Sequence, residues 1–175
     1  MRREFRAAKR QADTALLQVP DEALFQALDG ESNSLAVLMK HVAGNLRSRW
    51  RDFLTTDGEK PDRQRDHEFV IAPEDTRQRL EQAWQDGWQQ VFDTLDALTA
   101  EDLARTVRIR CEPHTVPRAM LRSLTHTSAH VGQIVMLAKH AQGRDWKTLS
   151  IPRGESEAFN RAAREKFDVA PATDA

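Results

Sequence analysis

The sequence predicts an all-α protein: a four-helix bundle with a small β-hairpin before the fourth long helix and an irregular C-terminal tail. Three observations predict it. Four long stretches carry apolar residues at three- and four-residue intervals, the helical period. The connections between them hold Pro, Gly and Asp-Gly breakers. One short stretch alternates with a period of two. A chain of 175 residues suits one domain with one sizeable core, expected over residues 1–168, with 169–175 as a disordered tail.

Phe5, Ala8, Ala12, Ala15 and Leu16 mark a first helix over about 3 to 18. Pro20 interrupts it, and Asp21 can cap a short piece with Leu24, Phe25 and Leu28 that stops at Gly30. Glu31-Ser32-Asn33-Ser34 offers N-cap groups to a long helix over about 34 to 55, built on Leu35, Leu38, Met39, Val42, Leu46, Trp50 and Phe53. The loop from Asp57 to about Ala72 is long for a bundle connection, and long ordered loops usually cover or line something; its charge content alone argues for a solvated, salt-bridged excursion. Pro73-Glu74-Asp75 opens a third long helix that buries Leu80, Trp84, Val91, Leu95 and Leu98, with Gly87 allowing a close helix approach. Residues 106 to 111 alternate as a strand, Glu112-Pro113-His114 supplies a turn, and Thr115-Val116 pairs back. The fourth long helix covers about 117 to 142, its inward face holding Ala119, Ser123, His126, His130, Ile134, Leu137 and Ala141, and Gly143 ends it. The stretch Leu149-Ser150-Ile151-Pro152-Arg153-Gly154 is too rich in breakers for a helix, and 155 to 167 forms a short last one.

Charged residues make up 30% of the chain with a formal net charge of -1, so no basic excess points to nucleic acid. The single cysteine, Cys111, excludes an intramolecular disulfide and reads as a small buried strand residue. No apolar run reaches the ~20 residues that span a bilayer, and the N-terminus lacks an apolar signal core. A cytoplasmic protein without membrane or nucleic-acid partners is expected.

The chemistry concentrates in Thr125-His126-Thr127-Ser128-Ala129-His130. Four residues rise about 6 Å along a helix and turn about 40° beyond a full turn, so both imidazoles leave one face. Alone, the pair fits a polar helix edge as well as a metal site. Two features favour the metal. Both rings fall on the inward side, where a polar group needs a partner, and His41 stands at a similar inward edge of another helix, with Asn45 one turn beyond it. His41, His126 and His130 are therefore the candidate ligands for a divalent ion, with at least one position left open. His67 reads as exposed, His114 as a turn residue, and His140 points to a different face. Glycine-rich phosphate loops, GxSxG elbows, His-Glu-x-x-His and paired Glu-x-x-His motifs are absent.

At Lys40-His41-Val42-Ala43-Gly44-Asn45 and His126-Thr127-Ser128-Ala129-His130-Val131-Gly132-Gln133-Ile134 the chain resembles the DinB-like superfamily, which includes YfiT-like metal-dependent proteins. Asn33-Ser34, Ser48-Arg49-Trp50, Asp57-Gly58-Glu59-Lys60, Arg65-Asp66-His67-Glu68-Phe69 and the 149–154 segment resemble its uncharacterised YizA-like group, and the likeness spans about residues 5 to 160. The resemblance implies a four-helix bundle whose histidine triad, here His41, His126 and His130, holds zinc or nickel; iron, copper and manganese also suit such a site. It implies a thiol-dependent S-transferase acting on small electrophiles, or a metal-dependent hydrolase, and it allows a homodimer. Asn45, Arg49 and Gln133 are candidate mouth residues, and Arg63 and Arg65 candidate contacts for an acidic low-molecular-weight thiol. The competing reading is a non-catalytic metal- or ligand-binding module. A structural site would be closed by a fourth protein ligand, for which Asp66 and Glu68 are nearest in sequence.

Overall fold

The computed structural model describes residues 1–167. The expected tail, 169–175, lies outside the described residues. The fold is mostly helical, with six α-helices and one two-stranded antiparallel hairpin among the described residues. The helices are α1 (Arg2–Leu16), α2 (Asp21–Leu24), α3 (Leu35–Trp50), α4 (Arg77–Ala97), α5 (Val116–Gln142) and α6 (Ser156–Phe167); the strands are β1 (Thr106–Ile109) and β2 (Glu112–Thr115). No helix among the described residues is long and apolar enough to cross a membrane.

The four long helices meet along their apolar stripes. α3 packs on α4 and α5, and α1 packs on α5 and α4. Phe5, Leu38, Leu46, Trp50, Trp84, Trp88 and Ile134 are fully buried between them. Polar ends of tryptophans tie the stripes together: Trp50 Nε1 donates to Ser123 Oγ at 2.9 Å, joining α3 to α5, and Trp84 Nε1 donates to Asp13 Oδ1 at 2.8 Å, joining α4 to α1. At Gly87 the helices come close. A Cβ there would sit 3.0 Å from the Ala43 carbonyl oxygen, so glycine at this position lets α4 lie against the α3 backbone.

Several expected boundaries move. α3 begins as expected, with Ser34 Oγ accepting from Val37 N–H, but ends at Trp50 instead of near 55. Arg51 is extended and Asp52 has φ 49°, which breaks the helix while Phe53 still reaches the core by stacking on Trp50 at 5.0 Å. α4 starts at Arg77, not Pro73, because Thr76 supplies the capping oxygen to Arg79 N–H. The hairpin turn is Arg110-Cys111, and Glu112-Pro113-His114 belongs to β2. Both turn residues have positive φ, 54° and 65°, as a two-residue hairpin turn requires. The Asp57 carboxylate offsets that cost by accepting from both turn N–H groups, at 2.8 and 2.7 Å. Cys111 is consequently exposed, not buried, and His114 is buried on β2. Ala141 is exposed, whereas Ala138 takes its expected place in the core, because the buried stripe of α5 runs through Val131, Ile134, Leu137 and Ala138.

Candidate metal centre

The three candidate histidines come together. One ring nitrogen from each of His41, His126 and His130 lies within 4.8 Å of the others. His41 leaves α3 and is buried; His126 and His130 leave α5 one turn apart and are half-buried. The convergence requires α3 and α5 to be neighbours, which the Trp50–Ser123 bond secures one helical turn from His126.

His126 Nε2 stands 3.4 Å from His41 Nε2 and 3.3 Å from His130 Nε2. The other ring nitrogens define what these atoms carry. His41 Nδ1 donates to Glu68 Oε2 at 2.9 Å, and His130 Nδ1 donates to Gln133 Oε1 at 2.8 Å. In the neutral rings both Nε2 atoms therefore present lone pairs toward His126. A proton on His126 Nε2 can serve one of them at best. His126 Nδ1 is itself buried with no partner, so neither tautomer satisfies this cluster with protein atoms alone.

A shared cation does fit the donor set. Tetrahedral ligands at ~2.0–2.1 Å from an ion stand ~3.3–3.4 Å apart, the spacing found on both sides of His126. Burial pushes the His126 pKa down to about 4, and the nearby His130, His41, Arg49 and Arg63 charges push it the same way. Burial also lowers His130, against the opposing bond to Gln133. These two rings are neutral near pH 7, the form that ligates metals.

Glu68 acts differently from the fourth ligand considered above. The turn Arg65–Phe69 swings it against α3, where its carboxylate accepts from His41 and, in a fork, from Arg63 Nε and Nη2, each at 2.9 Å. Burial pushes the Glu68 carboxyl up, but the bonds from Arg63 and His41 outweigh it and hold the pKa below the usual range. The carboxylate is thereby committed to orienting His41, the arrangement found behind many metal-bound imidazoles. Its space depends on Gly44, where a Cβ would overlap the Glu68 carboxylate. Phe69 packs against the His41 ring at 4.7 Å and limits its rotation. Asp66, the other loop acid, is almost wholly exposed. No fourth His, Cys, Asp or Glu joins the cluster among the described residues.

His41 and His126 open onto a cleft of about 200 Å³. The candidate mouth residues Asn45 and Arg49 line it, and so do Arg63 and Arg65, the candidate thiol contacts. Gln133 is not at the mouth; it braces His130 from the next turn of α5. Sequence reasoning missed the roles of Glu68 and Phe69, whose only local signal was the unusual length of the 57–72 loop, and of Gly44, a glycine inside α3. It also missed Arg110 and Arg122, which reach the cleft from the hairpin turn and from α5.

A family model described as "Protein of unknown function (DUF1572)" matches residues 1–155, and the chain belongs to that family. No curated protein matches the chain.

Proposed function

We propose that this DUF1572 protein is a divalent-metal enzyme built as a DinB-like four-helix bundle, and that it joins a low-molecular-weight thiol to small electrophiles. One observation carries the reading: three imidazole nitrogens meet at ligand spacing, with two of their rings already braced from behind and, among the described residues, no carboxylate joining them. His41, His126 and His130 would hold the ion, zinc or nickel before iron, copper or manganese. When bound, such an ion supplies Lewis acidity and lowers the pKa of a thiol or water beside it toward ~7.

The chain's own residues do the rest. Glu68 fixes the His41 tautomer and ring plane, and Gln133 does the same for His130. Asn45 and Arg49 present amide and guanidinium groups beside the histidines and orient the reactants. Trp50 and Phe53 exclude water from one side of the cleft. In the net reaction the thiol proton passes to solvent, sulfur forms a bond to carbon, and the leaving group departs with its electron pair. The acids near the cleft are tied to arginines, which favours a nucleophile activated by ionisation over one needing a carboxylate base. The same open position would serve water in a hydrolase, and that is the alternative reading.

Protein purified without a histidine tag should contain about one divalent ion per chain by elemental analysis. Loaded protein should conjugate bacillithiol, glutathione or another small thiol to monochlorobimane faster than His130→Ala. Turnover no greater than that variant's, with every thiol tried, overturns the transferase. A structural module predicts instead a fourth protein ligand and a metal effect confined to thermal stability.

A further inference from the structure

Five guanidiniums face the cleft in front of the histidines: Arg49, Arg63, Arg65, Arg110 and Arg122. No acid is among its lining residues. The carboxylates that neutralise these arginines stand behind them, and there are too few. A single oxygen, Glu59 Oε2, lies 2.9 Å from Arg49 Nη1, 3.4 Å from Arg63 Nη1 and 3.2 Å from Arg110 Nε. Glu68 is shared between Arg63 and His41. Glu112 is shared between Arg122 at 3.2 Å and Arg118 at 3.8 Å. Arg65 stacks on the Phe69 ring at 4.9 Å, and its ion-pair partner is the exposed Asp66 at 3.6 Å.

Arg49 sharpens the point. Its Nη1 is buried and ion-paired with Glu59 Oε2 at 2.9 Å, an approach that falls outside hydrogen-bond alignment. Shared among three guanidiniums, the Glu59 carboxylate leaves them short of acceptors, which an anion in the cleft would add. Part of the remaining wall is apolar: Trp50 and Phe53, stacked with ring centroids 5.0 Å apart, and Ile109 and Ala119, beside the polar Asn45 and Ser123. A cavity with cationic donors on one part and stacked aromatic rings on another suits a small organic molecule with a charged end and an apolar body.

We propose that this cleft is an oxyanion-binding site, and that the substrate or co-substrate is a small organic carboxylate or phosphate held by Arg49, Arg110 and Arg122. The placement of its reactive end beside the histidines rests on the metal reading above; the anion site itself does not. Guanidiniums recognise carboxylates and phosphates through paired N–H donors, which suits arginine rather than lysine at Arg49, Arg110 and Arg122.

The test is calorimetric titration of inorganic phosphate, succinate and neutral succinamide into chelator-treated and metal-loaded protein. Saturable binding of phosphate or succinate, without succinamide binding, is expected in both preparations. Whichever anion binds more tightly identifies the end group. Arg110→Gln/Arg122→Gln should weaken binding about tenfold or more, while Lys139→Gln, an exposed charge on α5, should leave it unchanged. Arg122→Gln alone, whose side chain is half-exposed, should still weaken binding severalfold and gives a second reading should the double variant fold poorly. Absence of saturable anion binding overturns the proposal, as does equal loss in Lys139→Gln. Binding that requires loaded metal, disappears in His126→Ala and ignores the arginine variants also overturns it, because the cation alone would then be taking the anion. Metal content measured on the same samples separates the two ideas: an ion-free protein that still binds succinate retains the arginine site and loses the metal reading.

Discussion

The two sides of the histidine cluster are built differently. On the α5 side, His126 and His130 sit one turn apart on a single helix, and His130 is braced by Gln133 three residues on. On the α3 side, His41 is buried and braced by Glu68, 27 residues away, which is itself gripped by Arg63. The first half is made by helix periodicity and stays near solvent. The second is made by a loop folding back over a helix, and its ion pair is almost wholly out of water. A local arrangement costs little to form but is loosely held; a long-range one must be over-determined, here by a forked Arg63–Glu68 pair, a glycine that leaves room and an aromatic ring that limits rotation.

If the comparison holds, damage on the two sides should differ in size. Removing a proposed ligand is the largest change: His126→Ala, between the other two rings, should lower divalent-ion affinity by roughly a thousandfold or more in competition with a chromogenic chelator, since two imidazoles rarely retain such an ion alone. Glu68→Gln comes next. It keeps the volume but withdraws the charged acceptor from His41 and Arg63, and should weaken metal binding by about 10–100-fold. The same variant should destabilise the fold by roughly 3 kcal/mol in urea denaturation, because breaking a buried pair strands Arg63. Gly44→Ala should reproduce the affinity loss of Glu68→Gln with every ligand intact, because the new methyl displaces the carboxylate. Unchanged affinity in Gly44→Ala would detach Glu68 from the site.

The pH response of the metal-free protein tests the α5 side. The His126 pKa is lowered to about 4, mainly by burial, so the folded chain binds fewer protons than the unfolded chain between that value and ~6.5. Stability then rises with pH across this window and is lost as pH falls from about 6.5 toward 4. The melting temperature should drop over that interval, and His126→Ala should flatten the profile. The smallest effect belongs to Gln133→Ala, where water can replace the exposed amide; metal affinity should fall by only about two- to fivefold, well short of the Glu68 variant. Equal losses at Gln133 and Glu68 would erase the distinction between the two sides.

Much of the helical layout was legible because apolar spacing reports which face of a helix is buried. Leu38, Leu46, Trp50, Trp84 and Ile134 are buried where the period places them. Boundaries were less legible. The end of α3 depends on Asp52 taking a positive φ, and the hairpin turn on Arg110-Cys111 doing the same under the Asp57 carboxylate. Neither pair is a glycine-bearing turn signal, so local chemistry pointed elsewhere.

The sequence by itself determined the long helices and the pairing of His126 with His130, because both follow from a fixed rotation per residue. It also marked His41 as an inward-edge histidine on a second helix. Only the tertiary structure decided that Glu68 would stand behind His41 instead of facing solvent with Asp66, and that five arginines would share one cleft. Loop charges have no period to announce which will be buried. Their fate depends on backbones approaching closely at Gly44 and on partners such as Arg63 and Glu59, chosen by proximity in space.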